Sequence, residues 1–145
     1  MDTYTVKLAL MNLIVASDSK LSPRATHVLA NWHIQSWQLT MPKFPVVTVR
    51  VQMRQTAIWS LHPPTIAHGE VYYYDFTAYV FGDSMSSSRE IADNIVDYLG
   101  QHNKDPANHI IDIVALSLKE SVPIHGPKRY WRIIVSGRVW TEEPL

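Results

Sequence analysis

The chain of 145 residues contains no cysteine. Disulfides and thiolate metal sites are therefore both excluded. No charge is in surplus, since 13 basic side chains face 13 acidic ones and the formal net charge is zero. Nucleic-acid binding driven by phosphate neutralisation needs a basic excess, so no direct sequence-specific nucleic-acid partner is expected. A zero net charge also removes a brake on self-association. The 5 glycines are scattered, and no loop of the phosphate-cradling kind can be built from them. No apolar run reaches the roughly 20 residues needed to span a bilayer, so no membrane partner is expected. Leu8 to Ala16 comes nearest to a signal-peptide core. Asn12 interrupts it and Asp2 accompanies Lys7 ahead of it, so an amphipathic first helix is expected instead. An apolar content of 46% excludes wholesale disorder, and the length suits one domain with a real core.

Catalytic and metal-binding patterns are scarce too. The histidines (His27, His33, His62, His68, His102, His109 and His125) form no His-Glu-x-x-His and no helical pair beside a carboxylate. They read as exposed or capping residues, and no metal or cofactor is expected. Asp93 and Asp97 lie one turn apart on an outer helix face and read as solvated. One short match remains. Val80-Phe-Gly-Asp-Ser-Met85 resembles the nucleophile block of the Gly-Asp-Ser-Leu esterases, which would make Ser84 a nucleophile. The Asp-x-x-His and Gly-x-Asn-Asp blocks of those enzymes are missing. Gly-Asp-Ser reads better as turn chemistry leading into a helix cap.

What is present centres on Glu70 to Gly100. Glu70 to Phe81 is dense in aromatic and β-branched residues, which fit a pleated surface. Tyr72, Tyr74, Phe76 and Val80 point one way; Val71, Tyr73, Tyr79 and Phe81 point the other. A strand apolar on both faces is expected to have cover on both. A helix follows, with Ser87 and Glu90 as a capping box and Gly100 as its left-handed stop. Ile91, Ile95, Tyr98 and Leu99 form its apolar stripe.

Upstream, residues 4–16 read as a helix with Val6, Leu10, Leu13 and Ile14 in one stripe, widened by Leu8, Met11 and Val15. Ser22-Pro23 can start a second short helix burying Val28, Leu29 and Trp32. Asn31 to Thr40 is either its continuation, with Ile34 and Trp37, or extended chain. The prolines of Met41 to Pro45 stop whatever precedes them. Val47, Val49, Val51 and Met53 then alternate inward against Thr48, Arg50, Gln52 and Arg54. Gln55 to Gly69 is a long connection carrying Ile58, Trp59, Leu61 and Ile66. Those residues either fold back as a satellite cluster or form a contact surface for another chain. Gln101 to Asn108 is a polar loop, Ile110 to Leu118 a strand, and Lys119 to Arg129 a second long loop. Tyr130 to Trp140 is the last strand, with Trp131, Ile133, Val135 and Val139 inward and Arg132, Ser136 and Arg138 outward. Thr141 to Leu145 reads as a frayed acidic tail. The sum is one α+β domain over residues 1–145. Residues 1–40 form an N-terminal helical region; residues 41–145 hold the central helix and a four-stranded, mainly antiparallel sheet with helices packed on one face.

The layout resembles the tail-terminator and tail-completion (head–tail joining) proteins of long-tailed bacteriophages. The residues that carry the resemblance are Phe44-Pro45-Val46-Val47, Tyr72 to Phe81, Ser88-Arg89-Glu90-Ile91-Ala92-Asp93 and Tyr130 to Val139. Pro23 to Thr40 departs from the pattern. The resemblance implies a structural, non-enzymatic virion protein at the head-proximal end of the tail, assembled in the host cytoplasm. It implies a ring, commonly of six subunits, that stops tube polymerisation. The partners it implies are other copies of the chain, the tail tube protein and the head connector. The alternatives are the Ser84 esterase and a subunit of a non-viral assembly. A ring needs two unlike patches on each subunit. The loop residues Ile58, Trp59, Leu61 and Ile66 are one candidate. The outer side of the last strand, with Tyr130, Arg132, Arg138 and Trp140, is the other.

Overall fold

The computed structural model describes residues 2–30, 44–56, 69–120 and 130–144. Helix α1 (Thr3–Ser17) starts where the Asp2 carboxylate accepts the Thr5 N–H at 2.8 Å. This bond holds the Asp2 carboxyl below its ordinary pKa, with the Thr5 hydroxyl adding to the effect. Val6, Leu10 and Ile14 are fully buried, flanked by Ala9 and Met11. Leu13, placed in the stripe by its spacing, is only partly buried at the margin. Asp18 ends the helix and does double duty. Its carboxylate accepts the Lys20 N–H at 2.9 Å, capping a short 3₁₀ turn, and accepts Asn94 Nδ2–H at 3.0 Å.

The second helix is a single turn, α2 (Arg24–His27), and its N-cap is Pro23 rather than Ser22. Val28–Ala30 does not continue it. Those residues form strand β1, paired parallel to β2 (Val46–Val51) with Val28 opposite Val47. β-branched Val28 gains more in that sheet edge than a lone helical turn could offer it. Residues 31–43, including Trp32, Ile34 and Trp37, lie outside the described residues.

Among the described residues the sheet therefore has six strands, not the expected four; it is mainly antiparallel, as expected, with the β1–β2 pair parallel. The added strands are β1 and the two-residue β3 (Gln55–Thr56), which pairs with the start of β4 (Gly69–Gly82). The main order is β1-β2-β4-β6-β5, with β5 (Ile110–Glu120) and β6 (Trp131–Pro144) completing it. β4 and β6 pair over their full lengths, from Gly69–Pro144 to Gly82–Trp131. The expected frayed tail is thus part of the central ladder. Thr141 and Glu142 are 0% and 2% exposed, and the Glu142 N–H donates to the His109 carbonyl. Met53, expected inside, is 82% exposed because β2 ends at Val51 and the chain turns outward before β3.

Helix α3 (Met85–Gln101) packs on the same sheet face as α1. Its N-cap is Ser84, whose Oγ accepts the Ser87 N–H at 3.1 Å, so the helix begins three residues before the expected box at Ser87. It runs through Gly100 and ends at His102, and no glycine among the described residues has positive φ. Ile91, Ile95 and Leu99 join Tyr74, Phe76, Ala78 and Val80 of β4 and Ile133, Val135 and Val139 of β6 in one core. Tyr98, assigned to the stripe, is half-buried and stacks on His102 at 3.9 Å. In β5 a bulge between Ile110 and Asp112 turns Ile110 and Ile113 to the same buried side, out of strict strand alternation. Gly137 of β6 stands opposite Phe76 and beneath its ring. A Cβ there would lie 2.5 Å from both Phe76 Cζ and the Val114 carbonyl oxygen. The helices-on-one-face α+β arrangement thus agrees with the reading of the sequence.

Candidate functional site

Helices α1 and α3 cover one side of the sheet. On the other side no helix among the described residues packs. That side is built by the alternate residues of β2, β4 and β6: Thr48 and Arg50; Tyr73, Asp75, Thr77, Tyr79 and Phe81; and Arg132, Ile134, Ser136, Arg138 and Trp140. An antiparallel sheet with one solvated face normally carries polar residues there. Here the face is aromatic, with arginines laid over the rings.

Its lower half is a cross-strand cluster. Asp75 and Arg138 face each other on β4 and β6, with Nε donating to one carboxylate oxygen at 2.7 Å and Nη2 to the other at 3.4 Å. Both side chains are 32% exposed. The carboxylate holds the Arg138 guanidinium above its ordinary pKa. The same guanidinium lies 4.1 Å from the centre of the Tyr73 ring and 5.6 Å from that of Trp140. Those two rings, on paired residues, are 5.2 Å apart and tilted. The Tyr73 hydroxyl donates to Gln55 Oε1 at 2.6 Å, so β3 fixes the cluster's near side. Charge, ring and hydrogen bond restrain one another, so these side chains are ordered within the chain itself.

The upper half is more apolar. Arg132 lies 5.5 Å from the Tyr79 ring, and Tyr79 stacks on Phe81 at 6.5 Å. Phe81, Val46 and Tyr130 form a second buried cluster with Phe44 and Leu29 against it. Tyr130 is 3% exposed, with the Phe44 and Phe81 rings at 5.7 and 5.8 Å. Burial raises its phenol pKa, while Arg132 pulls it more weakly the other way. Tyr130 therefore anchors the surface from beneath; it is not displayed on it. Arg132, Arg138 and Trp140 are half-buried and on the face, as expected of them.

The other expected patch, Ile58, Trp59, Leu61 and Ile66, lies outside the described residues. Sequence reading missed Tyr73 and Asp75 as members of the cluster. Their signal was available: Tyr73 is on the second face of the central strand, and Asp75 is that face's one acid. Ser84 is engaged as the α3 cap, its oxygen turned to a backbone N–H. Among the described residues no group of three or more His, Asp or Glu side chains is placed to hold a metal ion. No helix among them is long and apolar enough to cross a membrane.

No family model matches the chain, and no curated protein does. Among solved structures, it is similar to a chain in the structure titled "Virion of native gene transfer agent (GTA) particle". The TM-score is 0.53 at 15% identity, and 92% of each chain is covered. At that identity the likeness defines a shared fold across nearly the whole length of both chains.

Proposed function

We propose that the chain is a structural, non-enzymatic subunit of a phage-like virion. In this reading it is a tail-terminator or tail-completion protein that forms a ring on the head-proximal end of the tail tube. Its partners are other copies of itself, the tube protein and the head connector. The observation that carries the reading is the open sheet face. A half-buried aromatic and arginine surface along the two central strands is costly to leave in water, and its residue types are those enriched at interface centres. The fold shared with a chain of a gene transfer agent particle supports a virion setting. Ser84 Oγ accepts the Ser87 N–H as the α3 cap, which matches the turn-and-cap reading of Gly-Asp-Ser. The test is negative-stain microscopy of the purified protein, alone and with tail tubes. Rings, free or on tube ends, are the expected result. A persistent two-fold dimer that never decorates tubes would overturn it.

A further inference from the structure

We propose that copies of this chain join side by side, with Met53 of one copy seated against Val114 of the next. This inference rests on the subunit reading above and specifies the contact between subunits.

Among the described residues the exposed large apolar side chains are Tyr4, Met53, Met85 and Val114, and two of them belong to the sheet. Met53 is 82% exposed and Val114 37%. Single exposed apolar residues are ordinary on a protein surface. The places of these two are related, however. The Gln52 N–H donates to the Asp75 carbonyl at 2.9 Å, Asp75 stands opposite Arg138, and Arg138 stands opposite Val114. Met53 and Val114 therefore mark the two ends of one row that crosses the sheet through β4 and β6. Among the described residues β1 pairs with β2 from Val47 to Val49 and stops short of Met53.

A bulge displays Met53. Val51 pairs with Phe76 and Gln55 with Tyr73, so three residues, Gln52 to Arg54, stand against two, Tyr74 and Asp75. An extra residue of this kind bends its strand and re-aims a side chain. The residues after it are held to the sheet. The Arg54 guanidinium lies 4.3 Å from the centre of the Tyr72 ring, and Gln55 Oε1 accepts the Tyr73 hydroxyl. The flexible thioether of Met53 can fill an irregular gap around a branched valine on a neighbouring edge. The two ends of the row are unlike, so each copy carries both halves of the contact. Such a contact is head-to-tail, the kind that closes rings.

The absence of cysteine makes the test clean. Within one chain the two ends of the row are three strand spacings apart, roughly 14 Å. That is too far for a disulfide, so a bond between cysteines placed there must join two copies. Under mild oxidation, Met53→Cys and Val114→Cys should each stay uncrosslinked alone. Their mixture should give a covalent pair, and a chain carrying both should give a ladder ending at the ring. Met53→Glu should abolish rings and Met53→Leu should keep them, each with a melting temperature within a few degrees of the parent. A Met53→Cys variant that crosslinks to itself overturns the proposal, because like edges then meet. So does a Met53→Glu variant that assembles as the parent does. Rings seen by microscopy without any mixed crosslink overturn the proposal while leaving the subunit reading intact. Absence of both crosslink and ring, with tubes present, overturns the two together.

Discussion

The two faces of the sheet share the same strands and differ in nearly everything else. On the helix side, Tyr74, Phe76, Ala78 and Val80 are at most 2% exposed and meet α1 and α3. On the other side, Tyr73, Asp75, Thr77 and Tyr79, their immediate neighbours in sequence, are half-buried and carry arginines. Alternation along one strand thus separates two tasks. The first face holds the fold; the second is the one that our proposed function gives to a partner. A strand apolar on both faces does not by itself say that both are covered within one molecule.

The largest effects should come from the covered face. Phe76→Ala or Ile95→Ala removes a buried side chain from the shared core and should cost about 2–5 kcal/mol in denaturant unfolding. That is a large part of the stability of a domain this size. A loss below about 1 kcal/mol at both sites would reverse our assignment of the faces. Gly137→Ala forces a methyl against the Phe76 ring and the Val114 carbonyl. It should cost about 1–3 kcal/mol by overpacking. A double variant with Phe76→Leu, which shortens the ring above it, should recover part of that loss.

Smaller effects sharpen the contrast. Ser84→Ala removes the α3 cap and should cost about 1 kcal/mol, with assembly intact and no esterase activity to lose. Loss of measurable ester hydrolysis in that variant would restore the enzyme reading. Gly100→Ala places a methyl in open space on α3 and should stabilise by about 0.4–1 kcal/mol, read as a higher unfolding midpoint. On the open side, Tyr130 gives a pH signature. Its folded pKa is raised, so the stability it contributes is complete below the ordinary tyrosine value of about 10 and is lost as pH climbs past it. Tyr130→Phe should flatten that alkaline decline.

Much of this was readable from the residues, because the signals were long and periodic. Val6, Leu10 and Ile14 of the α1 stripe, the α3 stripe through Ile91, Ile95 and Leu99, and the inward set of Ile133, Val135 and Val139 all lie where their spacing put them. What escaped depended on register or on short elements. Val28–Ala30 is too brief for propensity to separate a strand from the end of a helix. Thr141 and Glu142 look like a polar tail until the full β4–β6 ladder places them opposite Tyr72 and Val71. Ser84 and Ser87 both satisfy the local chemistry of a cap, and only the extended backbone of Ser84 decides between them. The surface was half readable. Arg132, Arg138 and Trp140 followed from alternation, whereas the Asp75–Arg138 pair needed the register between two strands distant in sequence.

The most direct test pairs a melt with a micrograph on one variant. Tyr73→Ser with Trp140→Ser removes the paired rings of the Asp75–Arg138 cluster and leaves the helix-side core cluster untouched. We expect unfolding to shift by only a few degrees, at about 2–4 °C per kcal/mol for a chain of this length. We expect rings to disappear from both the free protein and the tube ends. A variant that keeps its rings, or that unfolds before assembly can be scored, would contradict the division of labour between the two faces.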